Sequence, residues 1–169
     1  NRHAINYVSG FSRLMRNVLE DSNKEKTTLE EEINFIENYL QLEQLSLDFT
    51  YQIKVEPADL ESEDILLPAM LLQPFIENAI EHGLRKSIQT NKELDIMITE
   101  LSQHRLQISI RDKRAGRHKM RRQNYISRAT EITADRKKLL QGSFDYKIID
   151  HKDEDNSPLG TEVIFVINI

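Results

Sequence analysis

The chain has 169 residues, 38% hydrophobic and 30% charged, with a formal net charge of −5, no cysteine and no tryptophan. That length and apolar content suit one compact domain with room for an N-terminal extension. The acidic balance argues against a nucleic-acid-binding domain. The lack of thiols excludes disulfides and thiolate metal sites, which fits a reducing compartment. No apolar run approaches the length of a membrane span, and no signal peptide is visible. The opening NRHAINYVSG lacks an initiating Met and reads as the cut edge of a longer protein.

In chain order, Ile5, Val8, Phe11, Leu14, Met15, Val18 and Leu19 recur at helical spacing over residues 1–22. A polar break follows at Ser22-Asn23. Thr28 with Glu31 three residues on is a capping-box pattern that opens a second helix. Leu29, Ile33, Ile36, Tyr39, Leu40 and Leu47 are expected on its apolar face. The two helices read as an antiparallel pair that can pack together or form a dimer surface. Tyr51–Val55 alternates as a strand. Ile65–Leu84 is expected to be one helix with Pro68 in its first turn. Pro74 within it requires a later start or a kink. Leu94–Glu100 and Arg105–Asp112 read as a hairpin around Ser102-Gln103-His104.

Residues 111–138 hold eleven Lys or Arg against three Asp or Glu and read as a mobile basic loop. A short helix over Ile132–Leu140 and strands over Phe144–Asp150 and Thr161–Ile169 complete the chain. The turn between those strands, HKDEDNSPLG, is polar. Within it His151 can at most meet a loose surface metal. This order of helices and antiparallel strands predicts a two-layer α/β sandwich preceded by two helices. The division expected is 1–48 for the helices and 49–169 for the sandwich domain.

The chemistry is concentrated in QPFIENAIEHGL, residues 73–84. Asn78 and His82 are four apart and share a helix face, as do Gln73 and Glu77. An Asn amide oxygen suits Mg²⁺ held mainly by phosphates, and an imidazole can donate to a phosphate oxygen. The same residues also suit an ordinary exposed helix edge, and the spacing alone leaves both readings open. Neither a P-loop nor a GxGxxG is present.

PAMLLQPFIENAIEHG resembles the N box of LytS-like sensor histidine kinases. TTLEEEINFIENYLQLEQL resembles the segment linking their dimerisation helices to the ATPase domain. YISRATEITADRKKLL and SPLGTEVIFVINI resemble that domain's end. The resemblance implies a Bergerat-type ATPase fold binding ATP and Mg²⁺. It implies Asn78 as the Mg²⁺ ligand, Glu77 as a polar neighbour of the metal and His82 as a phosphate contact. Asp112 would accept from the adenine amino group, and Gly116 would end the first glycine box. Gly160 and Thr161 match the final Gly-Thr pair. The family's partners would be a second copy, joined through the N-terminal helices, and a response-regulator receiver domain. Neither nucleic acid nor membrane contact by this stretch is implied. The stretch would be cytoplasmic, within a bacterial membrane protein.

The departures are specific. The family reads Asp-Asn-Gly-x-Gly where this chain has Asp112-Lys113-Arg114-Ala115-Gly116, and Ser127-Arg128-Ala129-Thr130 is a poor second glycine box. Glu81 stands where a Lys is frequent. Three readings stay open. Lys113, Arg114 and the following cations can meet the triphosphate directly; the glycine boxes can be degenerate, leaving a pseudokinase-like dimerisation and signalling module that binds nucleotide weakly or not at all; or the basic run is a solvated loop. The family's phosphoacceptor box is absent, and its place is expected upstream of Asn1. No residue here is expected to be catalytic by itself.

Overall fold

The structure is a computed structural model that describes residues 24–87, 90–113 and 144–169. The helix expected over 1–22, most of the basic loop and the helix over Ile132–Leu140 lie outside the described residues, as do Arg114 and Gly116. The chain divides into two compact units. Of the described residues, the first holds 24–48 and 61–73, and the second holds 49–60 and 74 onward.

In the first unit a short strand β1 (Lys26–Thr28) runs directly into helix α1 (Leu29–Glu43). Thr28 is the N-cap, with extended backbone. Its Oγ1 accepts from the Glu31 N–H at 3.1 Å, and a Glu31 carboxylate oxygen accepts from the Thr28 N–H at 3.3 Å. The capping box read from the sequence is therefore formed. Glu31 also accepts from the Thr27 hydroxyl at 2.5 Å. That bond, then the Thr28 amide, holds its carboxyl below the ordinary 4.5.

The buried side of α1 is Leu29, Glu32, Phe35, Ile36, Leu40 and Leu42. Ile33 and Tyr39, expected on the apolar face, are only half-buried, and Leu47 lies beyond the helix end. The surprise is Glu32, whose residue is 3% exposed.

Residues 65–84 correct the expectation of one helix. Leu66–Pro68 is a strand, β3, antiparallel to β1, with Thr27 opposite Leu67. Along it Leu66 is exposed, while Leu67 and Pro68 are buried. After β3 the chain turns through Met70 at φ 57°. The Glu32 carboxylate fixes this turn, accepting from the Met70 N–H at 3.0 Å and the Leu72 N–H at 2.7 Å. Helix α2 then starts at Gln73 and runs to Asn78. Pro74 falls in its first turn, where a missing N–H leaves no intrahelical bond unmade. From Ala79 to Leu84 the helix widens to π geometry, and the Arg85 N–H reaches the Ile80 carbonyl at 2.8 Å.

The second unit is a five-stranded mixed sheet, β2-β4-β5-β7-β6. Its strands are β2 (Thr50–Glu56), β4 (Glu93–Ser102), β5 (Arg105–Lys113), β6 (Phe144–Lys152) and β7 (Pro158–Asn168). β2 and β4 are parallel; all other pairs are antiparallel. The expected strands and the hairpin are present, each somewhat longer than read. One face of the sheet carries Leu94, Ile96, Ile98, Leu106, Ile108, Ile110, Val163, Phe165 and Ile167, all at most 2% exposed. The π segment packs on β5 and β7 on this face. Phe75 stacks on Phe165 with ring centroids 4.9 Å apart. This is the two-layer α/β arrangement expected.

Candidate functional site

Asp112 lies near the end of β5, on the core face, and is fully buried. Across the sheet it is in register with Thr161 of β7. Its Oδ1 accepts from the Thr161 N–H at 3.2 Å. The strands can approach there because Gly160 has φ 137°; a Cβ on it would stand 1.9 Å from the Asp112 carbonyl oxygen. Only glycine tolerates both that conformation and that proximity. From the helical layer, Gly83 also approaches Asp112 closely. A Cβ there would lie 2.9 Å from both the Cγ and the Oδ2 of Asp112. The carboxylate is thus held between a strand amide and a helix backbone. Thr161 is buried beside it, 5% exposed.

Asn78 is the last residue of α2, five residues before Gly83. It is 4% exposed, and its Nδ2 is buried with no hydrogen-bond partner. A buried amide without a partner is costly in a folded protein and asks for an explanation. His82, one turn on, is half-buried; its Nδ1 lies 3.1 Å from the Lys86 Nζ. An ammonium only donates, so a ring that accepts from it at Nδ1 carries its proton on Nε2. Glu77 is half-buried on the same segment. Glu81, the residue that departs from the family's frequent Lys, is paired with Arg85 at 2.9 Å, which offsets its charge locally.

Lys113 extends over the opposite face of the sheet from Asp112. Its ammonium meets Asp95 at 2.6 Å and Glu93 at 3.1 Å on β4. The Asp95 bond, then the Glu93 bond, raises its pKa above the ordinary 10.5. On the same outer face, Glu162 accepts from Ser109 at 2.5 Å and is bonded to His151 Nε2 at 2.7 Å. Burial pushes the Glu162 carboxyl up, but the bonds from Ser109 and His151 and the charges of His151 and Arg111 outweigh it and leave the carboxyl below 4.5. His151 therefore sits in a strand and pairs with Glu162; the sequence had placed it in a solvated turn. Among the described residues no group of three or more His, Asp or Glu is placed to hold a metal ion.

Two carboxylates went unsuspected in the sequence. Glu32 lies three residues after Leu29 and four before Ile36, and that spacing puts it on the buried stripe. Glu162 follows Thr161 in an alternating strand, so it must face away from the core.

The family model described as histidine kinase matches residues 1–50. The sensor protein kinase HptS of Staphylococcus aureus (strain USA300) is 31% identical over 110 residues, covering 64% of this chain and 20% of that protein. The chain thus spans about a fifth of the length of the curated relatives it matches. The histidine kinase domain of the Erythrobacter litoralis EL346 blue-light-activated kinase superposes with TM-score 0.60 at 10% identity, over 96% of this chain and 79% of that one. The mycobacterial sensor histidine kinase MprB gives 0.53 at 10% identity, over 85% and 96%. The fold is that of the Bergerat-type ATPase domain of histidine kinases. By sequence the chain is similar to a sensor protein kinase of Staphylococcus aureus. No described helix is long and apolar enough to cross a membrane.

Proposed function

We propose that residues 49–169 form the ATP-binding domain of a LytS-like sensor histidine kinase, and that residues 1–48 belong to its dimerisation and linker helices. In this reading the parent protein is a bacterial membrane kinase with this part in the cytoplasm. Two copies pair through the N-terminal helices, and a histidine outside this stretch receives the phosphoryl group before a response regulator does. The observation that carries the reading is the buried Asn78 amide lacking a partner, on the helical segment whose Gly83 covers Asp112. Both ends of a nucleotide then have a complementary group. Asp112, an acceptor fixed by the Thr161 N–H, suits the amino group of adenine. Asn78 presents an amide oxygen to Mg²⁺ and an amide N–H to a phosphate oxygen. His82, with its proton on Nε2, is a further donor to phosphate. Glu77 stands beside Asn78 as a polar neighbour of the metal, and Gly160 keeps β7 close enough for Thr161 to border the base.

When bound, Mg-ATP supplies the transferable phosphoryl group. The protein's part is to orient it and to match its charge. Calorimetric titration of the folded protein with ATP and Mg²⁺ tests this. We expect saturable binding that Asn78→Ala reduces at least about tenfold, the loss of one charge-assisted contact. No heat up to millimolar nucleotide would overturn it, and would favour the module that signals by contact alone. The Lys113 ammonium, engaged by Asp95 and Glu93, is the observation on that second side.

A further inference from the structure

Resting on the nucleotide reading, we propose that Gly83 is a specificity-determining position: its bare backbone clamps the Asp112 carboxylate in the one orientation that selects an amino-purine over an oxo-purine. The contact is tight on every side. A Cβ at Gly83 would stand 2.9 Å from Asp112 Cγ, 2.9 Å from Oδ2 and 3.1 Å from Cβ. Asp112 cannot retreat. Its side chain is short, it is fully buried, and its strand is paired on both sides, to Leu94 and to Thr161. The remaining freedom is rotation of the carboxylate, and that breaks the 3.2 Å bond from the Thr161 N–H. Gly83 and the Thr161 amide together therefore fix where the two oxygens point. The π widening of Ala79–Leu84 contributes by bringing this residue's backbone down onto β5.

An ionised carboxylate only accepts, with about four acceptor sites across its two oxygens. So oriented, it can take an N–H from a 6-amino purine beside the Thr161 N–H. A 6-oxo purine presents an acceptor at that place, and two buried acceptors face each other unpaired. Sites built around such a hydrogen bond reject the analogue that lacks it. A freely turning carboxylate would admit water and lose most of that discrimination.

The experiment compares ADP with IDP, which differ at the 6-position of the purine, by calorimetry with Mg²⁺ on the wild type and on Gly83→Ala. The wild type should prefer ADP by between about tenfold and a hundredfold. In Gly83→Ala the preference should fall to within about threefold of unity, with binding of both nucleotides still dependent on Mg²⁺. In the nucleotide-free variant, the Thr161 amide should lose protection from hydrogen exchange. An unchanged preference, or equal weakening of both nucleotides, overturns the assignment. A wild type that binds neither nucleotide sinks the nucleotide reading itself, a result distinct from failure at Gly83 alone. Should Gly83→Ala not fold, Asp112→Asn carries the test. The Thr161 N–H needs an acceptor at Oδ1, so a clamped amide must direct its NH₂ toward the purine, and the preference should invert to IDP. Loss of binding to both without inversion refutes the clamp.

Discussion

Replacing Glu32 should damage the first unit in a graded and residue-specific way. Its carboxylate is buried and makes two unequal bonds: 2.7 Å to the Leu72 N–H, which is itself buried, and 3.0 Å to the Met70 N–H, which is part-buried. Glu32→Ala orphans both amides. The buried Leu72 N–H then loses about 2–3 kcal/mol, since no water replaces its partner. The Met70 N–H, within reach of solvent, loses about 1 kcal/mol. The sum, roughly 3–4 kcal/mol, is a large share of a typical domain's stability of about 5–15 kcal/mol. At this chain length it corresponds to a drop in melting temperature of about 6–16 °C. Glu32→Gln should be milder, about 1–2 kcal/mol. Its single amide oxygen goes to the shorter, drier bond at Leu72, and its NH₂ is left against the Met70 N–H. Urea unfolding measures the totals, and amide exchange by NMR separates the two sites. In Glu32→Gln the Met70 amide should lose protection while Leu72 keeps it. A loss below about 1 kcal/mol for Glu32→Ala, or Leu72 deprotected before Met70, would refute the reasoning.

Thr28→Ala removes the hydroxyl that accepts the Glu31 N–H. It should cost about 1 kcal/mol in thermal unfolding, with Thr28→Ser near neutral; equal losses for the two would show that the cap does not act through the hydroxyl. Glu162 is held below the ordinary 4.5, so its stabilising contribution is complete above that value and is lost as pH falls through the lower folded value. Glu162→Gln should therefore flatten the acid limb of a stability-versus-pH curve relative to wild type; parallel limbs would remove Glu162 from the account.

What the sequence disclosed depended on how far apart the cooperating residues were. The Thr28 capping box is local, four residues long, and formed as read. β4, β5 and β7 announce themselves through alternation that needs only one buried face. Ile65–Leu84 failed because ILLPAMLL is apolar without a period, and such a run fits a strand as well as a helix. Its strand partner, Lys26–Thr28, is three residues long and distant in sequence. The turn at Met70 depends on a carboxylate 38 positions earlier. At the candidate site, Asn78, Asp112, Gly160 and Thr161 were picked out through the resemblance to the kinase family. The contact of Gly83 with Asp112 was not foreseen, because it depends on a π turn that no spacing rule for 3.6-residue helices contains.

Asp112, Gly160 and Thr161 face one another across a single pair of strands. A slide of one residue between those strands would turn the aspartate to the wrong side of the sheet and press Gly160 against a different neighbour. The threading that closes the hydrophobic layer therefore also brings Asp112, Gly160 and Thr161 together. On the proposed nucleotide reading, a chain caught in the wrong frame would be blind to its ligand, and any molecule that binds here would act as a proofreader, drawing the population toward correctly paired strands.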